Sequence, residues 1–210
     1  MKIIEVKTLE IPEIKVIKFQ KFNDNRGYFS ETFRKTDMDV DERCNFLHGE
    51  IFNQFNESFS KAGTIRGLHF QWNPFMGKLI RCISGQVIDL ALDIRKNSPT
   101  FGKIIAYELD NNHEVGEWIW LPKGFAHGVF TPVDSILEYM CTGQWSPNCE
   151  TAISIFSEDI DWSFCDENMT DIFQKTMNGF NLISEKDRNG KNLSQWLEMK
   201  ESDLFIYEGE

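Results

Sequence analysis

Between residues 16 and 128 the sequence alternates short β-prone runs with turn signals, and helical patterns do not alternate with these runs. Strands spaced in this way are typical of antiparallel barrels and jelly rolls. Residues 86–93 contain few polar side chains, so this strand is expected to be buried on both faces. The sequence therefore predicts an all-β fold of antiparallel strands. The strand-like runs are 16–19, 28–33, 79–83, 86–92, 103–109 and 117–121.

Helical patterns are confined to three short patches, residues 34–44, 172–177 and 193–200. The last begins at Asn192 or Ser194, either of which can serve as a cap, and places Trp196 and Leu197 on one side. We expect a single domain, residues 1–210, in which residues 166–210 form a C-terminal extension packed on the barrel or on a dimer partner.

Charge, hydropathy and cysteine usage limit the function classes. The chain has 210 residues and a formal net charge of −11, which disfavours nucleic acid and anionic lipid as partners. No apolar run approaches the roughly 20 residues of a membrane span, and no export signal precedes the first strand. The five cysteines are odd in number and form no C-x-x-C pair, so reduced thiols and a cytoplasmic location are expected.

Four strings carry side chains suited to proton transfer beside a carbonyl. They are Arg66-Gly-Leu-His69-Phe-Gln71, Gly77-Lys78-Leu-Ile-Arg81, Leu121-Pro-Lys-Gly-Phe-Ala-His127-Gly128 and the isolated Tyr139. Together they supply a base, a cation and an acid. Taken singly, each has an ordinary structural interpretation: a strand histidine is more often part of a hydrogen-bonded core, and a strand lysine more often a surface residue.

Further strings occur in a fixed order around these four. They are Asn25-Arg26-Gly27-Tyr-Phe29-Ser-Glu31, Asp93-Ile-Arg95-Lys, Ser98-Pro-Thr-Phe-Gly102 and Ser184-Glu-Lys-Asp187. The whole set resembles the dTDP-4-dehydrorhamnose 3,5-epimerase family from about residue 25 to residue 187. The resemblance implies a cupin-type jelly-roll β-barrel with a few short peripheral helices. It also implies a cofactor-independent isomerase that inverts C3 and/or C5 of a nucleotide-linked 4-keto-6-deoxy sugar in deoxysugar or surface-polysaccharide biosynthesis.

The catalytic roles follow from the resemblance and from the chemistry. Hydrogens beside a C4 ketone are acidic, so epimerisation needs a base on one face, a cation at the developing oxyanion and an acid on the other face. His69 matches the base, and Asp187 matches the carboxylate that orients it. Lys78 matches the residue at the ketone oxygen, and Tyr139 matches the acid.

The resemblance also implies substrate contacts and a homodimer with strand exchange, in which some contacts come from the neighbouring subunit. Arg26 and Arg66 match arginines at the diphosphate, where a guanidinium forks well onto phosphate oxygens. Residues around the base and the sugar are Phe29, Glu31, Gln54 and Asn56. The supporting role in the pocket is assigned to His127. The alternative interpretation of residues 25–27 is that they form an ordinary hairpin turn without a role in binding.

No metal is expected. Metal-binding cupins typically combine an H-x-H pair and a carboxylate with a P-x-G-x-x-H string. Here Pro122-x-Gly124-x-x-His127 is present, but the first half reads His69-x-Gln71, and Lys78 stands where a carboxylate would be expected. An ammonium repels a divalent cation, and two ligand types are missing.

The chain departs from the family pattern in two places. Trp145 stands where the family commonly has a second tyrosine, and an indole is not an acid. Phe55, Glu57, Phe59 and Ala62 stand where the family tends to have Asp, His, Arg and Lys, which predicts altered nucleotide contacts. A single-centre 5- or 3-epimerase on a CDP- or GDP-linked sugar therefore remains open. So do a non-catalytic sugar-binding cupin and a metal-dependent cupin oxygenase or isomerase.

Overall fold

The computed structural model describes residues 1–109, 111–112, 114–178 and 182–209. Within them the chain forms thirteen short strands. In chain order they are β1 Ile3–Thr8, β2 Lys15–Gln20, β3 Phe22–Asp24, β4 Gly27–Phe29, β5 Gln54–Ser60, β6 Thr64–Gln71, β7 Lys78–Ser84, β8 Val87–Asp93, β9 Ile104–Leu109, β10 Val115–Leu121, β11 Phe125–Thr131, β12 Ser135–Cys141 and β13 Glu150–Ala152.

Two antiparallel sheets contain all of these strands except the β3–β4 hairpin. One sheet has the order β1-β2-β10-β7-β12-β5 and the other has the order β13-β6-β11-β8-β9. A shared core lies between them, since Ile80 and Ile119 of the first sheet pack in one cluster with Ala91 and Val129 of the second. The predicted all-β jelly-roll class is confirmed.

Strand β8 lies inside its sheet, between β11 and β9. All seven of its residues are buried, as predicted from the scarcity of polar side chains. Leu90 and Leu92 enter one hydrophobic cluster, and Val87 and Ala91 enter another, on the opposite face of the sheet. Side chains alternate between faces along a strand, so a strand covered on both faces must be apolar at nearly every position.

The predicted strand at residues 28–33 is too long. Only Gly27–Phe29 is a strand, paired with Phe22–Asp24 in an exposed two-stranded hairpin, and residues 30–33 lie outside any strand. The β-prone residues of that run included Phe33, whose ring packs edge-on against Phe52 at 5.7 Å between centroids instead of joining a ladder.

The helical elements within the described residues are α1 Lys35–Val40, α2 Glu167–Asn178, α3 Glu185–Arg188 and α4 Leu193–Glu198, with 3₁₀ turns at Glu42–Leu47 and Lys200–Leu204. The predicted helix 34–44 is thus split, because the backbone at Asp41 is extended and its side chain caps the 3₁₀ turn. The patch 172–177 lies inside the longer α2.

The patch 193–200 is confirmed as α4, which ends two residues earlier than predicted. Its cap is Asn192, in a capping box with Gln195, and not Ser194. Trp196 is fully buried, whereas Leu197 is 39% exposed, so the two do not share a buried side as expected.

The C-terminal segment contributes to the core of the sheet that carries β6. The Trp196 indole donates to the Ile94 carbonyl at 3.0 Å and packs against Phe70 with 4.7 Å between ring centroids. Phe205 joins the same aromatic group. Backbone hydrogen bonds then pair Lys96 with Phe205 and Tyr207. The residues around α3 also bind β6 directly, because the Leu182 carbonyl accepts from Ile65 and Asp187 accepts from the Gly67 amide.

Candidate active site

A pocket of about 450 Å³ opens between the two sheets. Its walls come from the inward faces of several strands and from the loop between β12 and β13. Side chains with polar or ionisable groups that line it are Gln54, Asn56, His69, Gln71, Lys78, His127, Tyr139, Cys141, Trp145, Glu150 and Lys186. The sequence-predicted base, cation and acid are therefore brought to one cavity.

His69 on β6 is held by Asp187 on α3. Its Nε2 lies 2.6 Å from Asp187 Oδ1, and the histidine side chain is 34% exposed while the aspartate side chain is 7% exposed. Burial opposes ionisation of Asp187, but hydrogen bonding and charge from His69 outweigh it and lower the carboxyl pKa. A carboxylate that accepts from Nε2–H leaves Nδ1 as the unprotonated nitrogen.

The backbone before His69 is fixed by a close approach of two strands. Gly67 has φ +104°, and a Cβ there would lie 2.5 Å from the His127 carbonyl oxygen and 2.7 Å from Gly128 Cα. The Gly67 amide donates to Asp187 Oδ2 at 3.3 Å. Glycine is required here because any side chain would separate β6 from β11.

A second histidine–aspartate pair stands directly beside the first. His127 on β11 is the ladder partner of His69, and its Nε2 donates to Asp89 Oδ2 at 2.8 Å. Its other nitrogen, Nδ1, accepts from the Lys78 ammonium at 3.3 Å. Burial lowers the pKa of His127, Lys78 and His69 act in the same direction, and Asp89 opposes them. A neutral ring is the form that can accept from Lys78.

Lys78 begins β7 and points its ammonium into the pocket. Burial lowers its pKa, while Cys141, Asp89 and Glu150 oppose the shift. Cys141 is the ladder partner of Lys78 on β12. The ammonium is thus desolvated at one end of the cavity and supported by His127.

Tyr139 lies two residues before Cys141 on β12, on the same face of the strand. Burial raises the pKa of its phenol, with a further contribution from Cys141 and an opposing one from Arg66. The hydroxyl therefore stays protonated at neutral pH and is available as a proton donor in the pocket.

At the mouth of the pocket, Trp145 and Glu150 form a hydrogen-bonded rim. The Trp145 indole donates to Glu150 Oε2 at 3.0 Å, and Lys186 donates to Glu150 Oε1 at 2.5 Å. The Trp145 amide donates to Gln54 Oε1 at 2.9 Å, and Gln54 in turn donates to Asn56 Oδ1 at 3.0 Å. The two predicted amide residues and Trp145 are thus joined in one network.

Four predicted substrate-binding residues do not line this pocket. Arg26 is exposed on the β3–β4 hairpin and pairs with Asp24, and Phe29 on the same hairpin is 67% exposed. Glu31 is ion-paired with Arg34 and the terminal amine of Met1. Arg66 lines an adjacent groove together with Asp187, where its Nε donates to Ser60 Oγ at 3.0 Å.

The altered residues of β5 also point away from the pocket. Gln54 and Asn56 face inward, whereas Phe55, Glu57 and Phe59 alternate onto the exposed face. Within one chain, these three side chains do not line the pocket, so the predicted change in nucleotide contacts is not explained by direct contact there.

Sequence reasoning missed Asp89, Cys141, Glu150 and Lys186 as parts of the site. Asp89 did leave a signal, because it is a charged residue inside the otherwise apolar first part of β8, and such a residue needs a partner. One of its oxygens, Oδ1, is buried without a hydrogen-bond partner among the described residues. Glu150 and Lys186 resemble ordinary surface residues in the sequence and left no such signal.

Across the described ranges, no group of three or more His, Cys, Asp or Glu side chains is arranged to hold a metal ion. Both pocket histidines use Nε2 for an aspartate, and the ammonium of Lys78 lies against the remaining nitrogen of His127. In the part of the chain that the structure describes, no helix has the length and apolar character needed to cross a bilayer.

Comparison with known proteins gives this geometry a family. A sequence model described as dTDP-4-dehydrorhamnose 3,5-epimerase matches residues 8–195. The chain belongs to the dTDP-4-dehydrorhamnose 3,5-epimerase family. It is therefore an isomerase of the epimerase type, as the motif order predicted.

Relatives of that family match over most of their length. The dTDP-4-dehydrorhamnose 3,5-epimerase of Sinorhizobium fredii is 45% identical over 66% of this chain and 69% of its own. That of Pseudomonas aeruginosa is 35% identical over 87% of this chain and 92% of its own. A crystal structure of the Legionella pneumophila epimerase, in complex with dTDP-4-keto-L-rhamnose, has a TM-score of 0.78 at 30% identity and covers 98% of this chain and 99% of that one.

Proposed function

We propose that the protein inverts C3 and/or C5 of a dTDP-linked 4-keto-6-deoxy sugar by proton abstraction next to the C4 ketone, in deoxysugar biosynthesis. The observation that carries the proposal is that His69, Lys78 and Tyr139 line one cavity with Asp187 hydrogen-bonded behind the histidine. The names of the relatives and the ligand of the Legionella structure support the choice of dTDP.

The proposed reaction begins at His69. Its Nδ1 removes the proton from the carbon beside the ketone, and the C–H electron pair moves into a C–C double bond as the carbonyl oxygen becomes an enolate oxygen. Asp187 stabilises the imidazolium that results. The Lys78 ammonium, held by His127, stabilises the negative oxygen in a desolvated setting where such a contact has most effect.

Inversion requires the proton to return from the opposite face. The Tyr139 hydroxyl donates that proton to carbon, the enolate collapses to the ketone, and the phenolate is reprotonated when the histidine proton leaves to solvent. Because burial raises the pKa of Tyr139, the phenol is fully protonated before each cycle.

Proton exchange tests this proposal directly. The protein is incubated in deuterated water with 4-keto-6-deoxy sugars linked to dTDP, CDP or GDP, and NMR locates the deuterium. We expect incorporation at C3, C5 or both of the dTDP sugar, and its loss in His69→Asn. No exchange with any member of the panel would favour a non-catalytic sugar-binding role instead.

A second candidate is a single-centre epimerase, and one observation favours it. The only N–H of the Trp145 ring is bonded to Glu150, so residue 145 offers no proton to a sugar. We expect inversion at one centre from the native protein and some double inversion from Trp145→Tyr. A native product inverted at both C3 and C5 would exclude this candidate.

We further propose a homodimer in which the β3–β4 hairpin completes the partner's pocket. Among the residues that line the pocket in this chain, Lys78 and Lys186 are the only lysine or arginine side chains, which is little for a diphosphate. Arg26 and Phe29 are exposed on the hairpin, away from it.

Mixed dimers test that arrangement. His69→Asn and Arg26→Ala chains, each inactive alone, are co-expressed with different tags and the heterodimer is purified. If the hairpin crosses between subunits, both defects fall in one site and the other site is intact, so activity returns. A heterodimer as inactive as its parents would show that each chain builds its own site.

The chain is proposed to form one domain, residues 1–210, located in the cytoplasm. Residues 166–210 supply Asp187 to the site and Trp196 to the core, which supports a single folding unit. All five cysteines are unpaired, as suits a reducing compartment.

A further inference from the structure

The helix that carries Asp187 is one turn long and is held from two sides. Away from the pocket, Ser154 Oγ donates to the Arg188 carbonyl at 2.9 Å. On the pocket side, two neighbouring residues of α3 reach across to the β13–β6 edge of the sheet. Asp187 accepts from His69 at 2.6 Å, and Lys186 donates to Glu150 at 2.5 Å.

Glu150 is well placed to control the position of this helix. Strand β13 pairs with β6 so that Ala152 is the ladder partner of His69 and Glu150 that of Gln71. The Glu150 side chain is only 16% exposed, whereas that of Lys186 is 59% exposed. An exposed ion pair contributes little to global stability, so the consequence of this pair is the local position of α3.

The two oxygens of Glu150 have different partners. Oε1 binds Lys186, and Oε2 accepts from the indole of Trp145, a ring that is 59% exposed at the mouth of the pocket. The Glu150 carboxylate therefore connects Trp145, at the mouth of the pocket, to α3, the helix that carries Asp187.

We propose that Glu150 and Lys186 are positioning residues whose ion pair fixes α3, so that Asp187 keeps His69 protonated on Nε2 and open on Nδ1. Through the indole of Trp145, the same carboxylate links recognition of the distal part of the substrate to the geometry at the reacting carbon. The inference rests on the proposed function, because it assigns His69 the role of base.

The tautomer of His69 gives a test that needs no substrate. Imidazole ¹⁵N chemical shifts in the free protein report which nitrogen carries the proton. We expect wild type to show the Nε2–H form alone, and Lys186→Met to populate the Nδ1–H form as well. In the same variant kcat should fall about tenfold, the size of effect seen when groups that orient a catalytic side chain are lost, with KM nearly unchanged.

Two further variants separate positioning from general damage. Lys96→Met removes a lysine–aspartate pair, Lys96–Asp203, that is also 2.5 Å long but lies away from the pocket, so it should change neither the tautomer nor kcat. Lys186→Arg keeps the charge and should restore both. Trp145→Phe removes only the indole hydrogen bond and should raise KM about fivefold while the His69 tautomer stays as in wild type.

The proposal is overturned if Lys186→Met matches Lys96→Met in both tautomer and kcat. It is also overturned if Lys186→Arg fails to restore the wild-type tautomer, since a charge-bearing partner would then be irrelevant. Failure of the proposed function would look different: deuterium exchange would persist in His69→Asn, whatever the tautomer measurement showed in the Lys186 variants.

Discussion

Two histidine–aspartate pairs stand side by side at this pocket, and we propose different roles for them. His69–Asp187 and His127–Asp89 both use Nε2, at 2.6 Å and 2.8 Å, and the two histidines are ladder partners on adjacent strands. The first histidine side chain is 34% exposed and the second 11%. The decisive difference is the other ring nitrogen: Nδ1 of His127 accepts from Lys78, whereas Nδ1 of His69 has no hydrogen-bond partner among the described residues.

The comparison shows that the surroundings, and not the pair itself, select the role. An open Nδ1 makes His69 the proposed base, while an Nδ1 that accepts from an ammonium makes His127 a support for Lys78. Under this proposal the same chemical unit serves proton transfer on one strand and placement of a cation on the next.

Replacing each histidine by asparagine should show the largest difference between the two pairs. His69→Asn should lower deuterium exchange at every carbon by about 10⁴-fold, the upper range for a lost general base. His127→Asn should lower it only about tenfold, since the amide oxygen can still accept from Lys78. Binding of dTDP, measured by calorimetry, should remain nearly intact in both. Equal losses of exchange would remove the proposed division.

Removing the proposed acid, Tyr139, should separate its role from that of His69. Tyr139→Phe should reduce inversion about 10³-fold, within the range for a general acid. Washout of substrate hydrogen should persist, because His69 can still take a proton and receive one from solvent. NMR of substrate and product measures both. If washout and inversion fell together, the hydroxyl would be needed for proton removal itself, and the assignment of removal to His69 and return to Tyr139 would be wrong.

Exchanging the two aspartates should separate activity from stability. Asp187→Asn should lower kcat about 10²-fold through loss of the tautomer. Asp89→Asn should instead cost about 2 kcal/mol of unfolding free energy, since a buried His127 N–H loses its charged acceptor. Steady-state kinetics and urea unfolding measure the two effects. A reversed pattern, with Asp89→Asn giving the larger loss of kcat and Asp187→Asn the larger loss of stability, would contradict the comparison.

The pH dependence of stability should reflect the buried pair. Burial lowers the pKa of His127 below its ordinary value of 6.5, so the unfolded chain binds the proton more readily than the folded one. Unfolding free energy should therefore fall as pH decreases below about 6.5, and His127→Asn should flatten that part of the profile. An unchanged slope in the variant would assign the effect to another group.

Asp187 should affect the unfolding free energy at a lower pH than His127 does. Its folded pKa lies below the ordinary 3.8, so its contribution is present above pH 3.8 and is lost as pH falls through the folded pKa. The stability difference between wild type and Asp187→Asn should accordingly shrink at the acid end of the same urea series. A difference that stayed constant there would mean that the carboxylate is not favoured by folding.

Much of the fold could be predicted because its strongest constraint is local. The apolar composition of β8 predicted its burial. The capping residue and the tryptophan at position 196 predicted the helix at residues 193–198. The strand predicted at residues 28–33 was too long, because β propensity does not show where the neighbouring strand that would pair with it ends. The break at Asp41 was missed for a similar reason, since a capping aspartate also fits a helix interior pattern.

The candidate site was only half visible in the sequence. The motif order selected His69, Lys78, Tyr139 and Asp187, and the structure brings these together. Glu150 was not visible, because its role depends on the loop that places Trp145 and on the turn that places Lys186, and no spacing rule connects these positions. Arg26 and Phe29 match the family pattern but lie outside the pocket of their own chain, so sequence order alone could not locate them.

The long separation between His69 and Asp187 has a consequence for the newly made chain. The two residues are 118 positions apart, whereas His127 and Asp89 are 38 apart. At a synthesis rate of about 5–20 residues per second, Asp187 emerges roughly 6 to 24 s after His69. Before that interval ends, the strands that hold Lys78, Asp89 and His127 have been made, while the proposed base still lacks its carboxylate. Most of the strands that line the pocket thus exist before Asp187 and Lys186 do, and under the proposed mechanism proton abstraction begins only once the C-terminal segment has docked.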